Sequence, residues 1–118
     1  MKLAMQIGYS GGFEDSVAQV QALEKAGMDI VYVAEAYGYD GVSLMGYLAA
    51  KTDTVQIAAG ILPIYTRTPT LLAMTAAGVD ELSKGRCILG LGASGPQVIE
   101  GFHGVPYDAP IGRTREIV

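Results

Sequence analysis

The chain has 118 residues, enough for one small domain with a buried core. Half of the residues are hydrophobic and 17% are charged, which argues against disorder. A net charge of -4 argues against a broad basic surface for nucleic acid or for an anionic membrane. With no apolar run of about 18 residues and no basic-then-apolar leader, we expect a cytoplasmic protein.

Apolar runs alternate with amphipathic segments along the whole chain. The runs begin near Leu3, Asp29, Val55 and Arg86, so successive units are 26, 26 and 31 residues long. The β-branched runs indicate buried strands, and apolar residues spaced by three or four positions indicate helices. The pattern predicts strands over 3–9, 29–34, from 55 and over 86–91, helices over 13–26, 42–50 and 68–83, and the start of a helix at 113.

This alternation predicts an α/β fold with a parallel sheet covered by helices. Two architectures fit the pattern: a small open sheet, or the first four units of an eight-unit (β/α)8 barrel, which needs about 250 residues. Because the sequence stops within a predicted helix, we expect residues 1–118 to form the N-terminal part of a barrel domain that is incomplete at its C-terminus.

A glycine-rich segment follows the fourth predicted strand. Gly90–Gly95 matches G-x-G-x-x-G, which in dinucleotide-binding folds opens a long helix. Here Pro96 to Glu100 is cut off by Gly101, and Asp108, the nearest acid at the required distance, lies in a turn. The segment is therefore more typical of a loop that approaches a flat or anionic ligand.

Three further side chains carry candidate chemistry. Glu35 ends the second strand and should project toward the same mouth as Gly60 and Ser94, either as a ligand or acid–base group or as a solvated carboxylate. His103 is either a proton donor or a loop histidine bonded to backbone. The single cysteine, Cys87, cannot form an internal disulfide and is expected to be small and buried. No metal-ligand spacing is present.

The block Gly-Ile-Leu-Pro-Ile-Tyr-Thr-Arg-Thr-Pro at 60–69, with Lys-Gly-Arg-Cys-Ile-Leu-Gly-Leu-Gly at 84–92, resembles the bacterial luciferase-like superfamily. Within it, the chain is most similar to the deazaflavin-dependent (coenzyme F420) oxidoreductases related to methylenetetrahydromethanopterin reductase. The resemblance runs from Lys2 to Val118, and its most specific parts are 65–69, 85–86 and 90–92. It implies a (β/α)8 barrel of the TIM type, longer than this chain.

The resemblance also implies a cofactor site. A non-proline cis peptide that backs the deazaflavin ring falls on Gly60-Ile61, with Glu35 and Ser94 expected to contact the ring within one pocket. The family's Asp-His pair falls on Glu35-Ala36, so the carboxylate is kept and the histidine is absent. A catalytic acid of the sugar-phosphate dehydrogenases falls on Gly95. Both departures argue against sugar-phosphate oxidation and leave the proton donor unidentified.

Three functions follow as alternatives. The first is hydride transfer between F420 and a small organic substrate, in a full-length protein that forms a homo-oligomer and binds neither nucleic acid nor membrane. The second is an FMN-dependent monooxygenase of the same superfamily that uses dioxygen. The third is a non-catalytic fragment or assembly module, which should bind neither cofactor.

Overall fold

A computed structural model describes residues 1–8 and 11–118. The end of the first predicted strand, at Tyr9, lies outside these residues. The elements in chain order are β1 (Ala4–Ile7), α1 (Phe13–Lys25), β2 (Ile30–Val33), α2 (Gly41–Lys51), β3 (Gln56–Ala59), β4 (Leu62–Pro63), α3 (Pro69–Ser83), β5 (Cys87–Ile88), β6 (Leu91–Gly92), α4 (Pro96–Ile99) and α5 (Pro110–Ile117).

Four parallel strands form the main sheet, in the order β1-β2-β3-β5. Ala4 lies beside Ile30, Ile30 beside Gln56, and Ile57 beside Cys87, so the chain repeats one strand–helix unit per step across the sheet. The predicted parallel α/β arrangement is confirmed.

Two predicted strands are interrupted. The third breaks at Gly60, where the Gly60-Ile61 peptide is cis as expected, and the fourth breaks between Ile88 and Leu91. Beyond these breaks, β4 and β6 pair with each other as a separate parallel ribbon. The prediction of one continuous strand over 86–91 is therefore wrong.

The breaks coincide with a very close approach of the two strands. A Cβ atom at Gly90 would lie 2.0 Å from the carbonyl oxygen of Ala59, and one at Gly92 would lie 3.2 Å from Cγ1 of Ile61. Only glycine fits the first position. Gly90 of the G-x-G-x-x-G segment is thus required for packing, and the four-residue α4 is too short for the helix of a dinucleotide site.

The main core lies between the sheet and α1 to α3. Its fully buried members include Val20, Val31, Leu48, Ile57 and Leu62. A second, smaller cluster forms around Ile64, Tyr65 and Ile99. Cys87 is only partly buried, contrary to expectation, because β5 is the last strand of the sheet and is covered on fewer sides.

The second cluster is closed by α5. Tyr65 donates a hydrogen bond to the carbonyl of Asp108, its ring lies 5.0 Å from that of Tyr107, and the guanidinium of Arg113 lies 4.5 Å above it. The helix begins at Pro110, three residues before the predicted start. Proline suits the first helical position because its missing N–H would have no helical acceptor there.

Charged side chains satisfy backbone groups at the amino-terminal edge of the sheet. The Glu24 carboxylate accepts from the amides of Asp53, Thr54 and Val55 at 3.0, 2.6 and 2.8 Å. The Arg86 guanidinium donates to the carbonyls of Ala49, Thr52, Val55 and Ser83 at 3.0, 2.9, 2.8 and 2.7 Å. These contacts hold the α2–β3 turn against both neighbouring helices.

We expect Glu24→Gln to destabilise the full-length protein by about 1–2 kcal/mol at neutral pH, because a charged acceptor of several amides is lost. Burial raises the pKa of Glu24, but hydrogen bonds from residues 53–55 outweigh it and lower the pKa overall. The stability that the Glu24 carboxylate contributes is therefore fully present at pH values above the ordinary glutamate pKa. It is lost as the pH falls through the lowered pKa of Glu24 in the folded protein. Urea melts at several pH values check this: the two proteins should converge in acid, and a constant difference would contradict it.

We also expect the isolated 118-residue chain to associate. Leu3, Met5 and Leu89 at the sheet edges, and Met74 and Leu82 on α3, are 51%, 39%, 36%, 65% and 58% exposed. Unpaired strands and exposed apolar surface attract other chains. Size-exclusion chromatography with light scattering checks this: a monodisperse, cooperatively melting monomer of 12.3 kDa would contradict it.

Candidate functional site

A cavity of about 500 Å³ opens at the carboxyl edge of the sheet. Its walls come from the β2–α2 loop, the β3–α3 loop with the first turns of α3, and the turn that follows α4. This is the edge at which parallel α/β proteins bind ligands. Val42, Leu71 and Phe102 supply apolar wall, and the polar lining includes Glu35, Tyr39, Asp40, Thr66, Arg67, Thr75 and His103.

A buried ion pair forms the floor of this cavity. The Arg67 guanidinium donates to both Glu35 oxygens, at 2.6 and 2.8 Å, and the two side chains are 11% and 8% exposed. This two-point contact is the strongest geometry available to a guanidinium and a carboxylate. The hydrogen bond to Glu35 raises the pKa of Arg67, burial opposes the rise, and the Glu35 and Asp40 charges add to it.

The same pair is tied to the start of α2. Oε2 of Glu35 also accepts from the Gly41 amide at 2.6 Å, and a Cβ at Gly41 would lie 3.3 Å from that oxygen. Asp40 caps the helix by accepting from the amides of Val42 and Ser43 at 3.1 Å each. Burial raises the pKa of Asp40, but these bonds, the Ser43 hydroxyl and nearby Arg67 lower it overall.

Glu35 lies at the expected edge but in an unexpected state. Both of its oxygens already accept hydrogen bonds from the protein, and its side chain is almost fully buried. The alternative of a solvated loop carboxylate is therefore wrong. Glu35 also lines the cavity, and its contact with a cofactor ring stays a prediction.

Gly60 and Ile61 lie where β3 gives way to β4. A Cβ at Gly60 would lie 3.1 Å from Cδ1 of Tyr32, so a side chain here would press on the neighbouring strand. Gly60, Ile61, Gly92 and Ala93 are partly exposed and present no bulky polar group. Such a surface fits one face of a flat ring.

Ser94 is not among the residues that line the cavity around Glu35. That Ser94 and Glu35 share one pocket with a bound ring stays a prediction. Ser94 has a left-handed backbone with φ of 58°, and its carbonyl accepts from the Tyr107 hydroxyl at 3.2 Å. Because β6 pairs with β4 beyond the strand break, Ser94 follows that ribbon and lies beside Tyr107 of the second cluster.

Sequence reasoning assigned no role to Arg67 or Asp40. A signal was present, because Arg67 is a lone cation in the loop after β3, and β3 lies beside β2, which ends near Glu35. Adjacent parallel strands bring their following loops together. His103, a candidate proton donor from the sequence, lies on the wall of the same cavity.

Two other kinds of site are absent from the part of the chain that the structure describes. Among residues 1–8 and 11–118, no group of three or more histidine, cysteine, aspartate or glutamate side chains gathers as a metal site would require. In the same part of the chain, no helix is both long and apolar enough to span a bilayer.

We expect Arg67→Met to lower the free energy of unfolding of the full-length protein by about 3 kcal/mol, because it leaves the buried Glu35 carboxylate unpaired. Arg67→Lys keeps the charge but loses the two-point contact, and should cost less. The double variant Arg67→Met/Glu35→Met should recover part of the loss. Urea unfolding of these three variants and of Glu35→Met measures this, and strictly additive effects of Arg67→Met and Glu35→Met would show that the pair contributes no coupling.

The chain is similar to known proteins over its whole length. A family model described as luciferase-like monooxygenase matches residues 1–118. A protein of Mycobacterium tuberculosis named "Putative coenzyme F420-dependent oxidoreductase Rv3520c" is 42% identical over 120 residues, which cover 100% of this chain and 35% of the relative. The chain thus spans about a third of that relative's length.

Solved structures show the same fold. The coenzyme F420-dependent tetrahydromethanopterin reductase of Methanopyrus kandleri matches with a TM-score of 0.88 and 21% identity, over 98% of this chain and 38% of that one. An FMN complex of the oxygenating constituent of 3,6-diketocamphane monooxygenase from Pseudomonas putida gives 0.83 and 16%, over 99% and 38%. The parallel α/β fold is that of the luciferase-like (β/α)8 barrel enzymes, and the chain belongs to the luciferase-like monooxygenase family.

Proposed function

We propose that the full-length protein is an oxidoreductase that transfers a hydride between the deazaflavin coenzyme F420 and a small organic substrate. The observation that carries this is the 42% identity, over the whole chain, with a relative named for dependence on coenzyme F420. The carboxyl edge supports it, because a cavity of about 500 Å³ with both apolar and polar walls opens there.

In this proposal the deazaflavin ring lies on the surface made by Gly60, Ile61 and the neighbouring Gly92 and Ala93. When bound, the cofactor supplies the carbon that takes or gives the hydride. The chain's own residues provide a flat support and exclude water from one ring face. Ser94, which follows this surface in the chain, is proposed to contact the ring at its edge.

Glu35 has a different role from direct ring contact. Because its carboxylate is bonded to Arg67 and to the Gly41 amide, it fixes the β2–α2 and β3–α3 loops relative to one another. The substrate cavity is bounded by these two loops. Glu35 therefore acts as a positioning residue for the cavity.

The second candidate is an FMN-dependent monooxygenase. The family description and the fold match to an FMN complex favour it. A flat support of this kind is equally suitable for a flavin. F420 and FMN are therefore distinguished by measuring the affinity of the protein for each. The third candidate, an assembly module, predicts binding of neither cofactor.

We expect the full-length protein to bind F420 more tightly than FMN, as measured by fluorescence titration with each cofactor. Gly60→Val should weaken F420 binding by about tenfold or more, because its side chain would press on Tyr32 and displace the surface under the ring. Gly78→Val is the matched control: among the described residues, nothing lies within 4 Å of a Cβ at Gly78.

Thermal melts establish that both variants are folded before the titrations are compared. Tighter binding of FMN would favour the monooxygenase. Binding of neither cofactor would favour the assembly module, and equal F420 affinity in both glycine variants would remove Gly60 from the proposed surface.

A further inference from the structure

The backbone at Ser94 adopts a conformation that serine rarely takes. Its φ is 58°, in the left-handed region, where a side chain crowds the following carbonyl oxygen. A residue keeps such a conformation only where its surroundings fix it. Ser94 comes directly after Gly92 and Ala93, so its backbone decides what stands at the edge of the surface proposed for the ring.

The regular pairing that supports this surface stops just before Ser94. Strand β6 ends at Gly92, whose carbonyl accepts from the Ile64 amide at 3.0 Å. Gly92 also lies close to Ile61, since a Cβ at Gly92 would be 3.2 Å from Cγ1 of that residue. The ribbon therefore fixes the surface as far as Gly92, and a different contact must fix the two residues that follow.

Tyr107 supplies that contact. Its hydroxyl donates a hydrogen bond to the Ser94 carbonyl at 3.2 Å, across 13 positions of the chain. The bond ties the segment after β6 to the segment before α5. Ser94 is exposed, and because this bond uses its carbonyl, its side-chain hydroxyl is left to meet a ligand.

Tyr107 is itself held through its backbone and through its ring. Its amide donates to Oε1 of Glu100 at 2.9 Å. Its ring centre lies 5.0 Å from that of Tyr65, with an angle of 30° between the ring planes. Tyr65 is 6% exposed and donates to the carbonyl of Asp108, the residue after Tyr107. These buried and hydrogen-bonded neighbours place the Tyr107 hydroxyl, which in turn places Ser94.

We propose that Tyr107 is a positioning residue for the cofactor: its hydroxyl holds Ser94 in the left-handed conformation in which the serine meets the edge of the deazaflavin ring. The proposal rests on the proposed function and deepens it. Tyr107 acts through Ser94 and not on the ring itself. The two residues should therefore contribute to cofactor affinity as one unit.

The test is a double-mutant cycle on the F420 affinity of the full-length protein, measured by fluorescence titration. Tyr107→Phe keeps the ring beside Tyr65 and removes the hydroxyl, so it should weaken F420 binding by about fivefold, the effect of one neutral hydrogen bond. Ser94→Gly should weaken binding at least as much, because the contact with the ring is lost. Glycine adopts the left-handed conformation without strain, so adding Tyr107→Phe to Ser94→Gly should change the affinity by less than about twofold.

Tyr47→Phe is the matched control. It also removes a tyrosine hydroxyl that makes a hydrogen bond, here to Glu14 at 2.6 Å between α2 and α1. It should leave the F420 affinity unchanged. Thermal melts of every variant establish that each is folded before the affinities are compared.

Unchanged F420 affinity in Tyr107→Phe or in Ser94→Gly would overturn the positioning role. Additive effects of the two changes would also overturn it, because a tyrosine with a merely structural role would weaken binding equally in both backgrounds. A Tyr107→Phe variant that does not fold would assign Tyr107 a structural role and overturn the proposal. An unaltered protein that fails to bind F420 would instead overturn the proposed function, so the two failures are distinguishable.

Discussion

The close contact between Ala59 and Gly90 decides how the carboxyl edge of this sheet is built. With a 2.0 Å gap between a Cβ at Gly90 and the Ala59 oxygen, the third and fourth strands can approach only if residue 90 lacks a side chain. After this contact both segments leave the main sheet, and they pair with each other again as β4 and β6. The change from the main sheet to the β4–β6 ribbon divides the loops at the carboxyl edge into two groups, one around Arg67 and one around Tyr107.

The Arg67–Glu35 pair then organises the first group. A buried carboxylate needs a partner, because its desolvation is costly, and here a guanidinium and a helix-start amide share that task. One arginine thereby joins the loops that follow two neighbouring strands. Charge pairing holds these two loops together, and Leu71, which lines the cavity, is exposed and available for a ligand.

The sequence was sufficient to predict the parallel units and their order, because strand runs of Val, Ile and Ala recur with helical spacing between them. The cap of α3 at Thr68 and Pro69 was equally readable, since it depends on local chemistry. The strand breaks at Gly60 and Gly90 depend on contacts between segments about 30 positions apart. The spacing of apolar residues along the chain does not predict such contacts. The position of Ser94 beside Tyr107 follows from the same contact, and the pairing of Glu35 follows from a partner in another loop.

Cys87 gives the chain a built-in chemical reporter. It is the one cysteine in the sequence and lies on β5, at the margin of the main sheet. Burial, with a contribution from the charge of Asp80, raises the pKa of its thiol, so thiolate is scarce at neutral pH and alkylation should be slow. A strand that came to lie beside β5 would slow it further. The labelling rate of this single thiol would therefore follow the covering of that margin without any engineered probe.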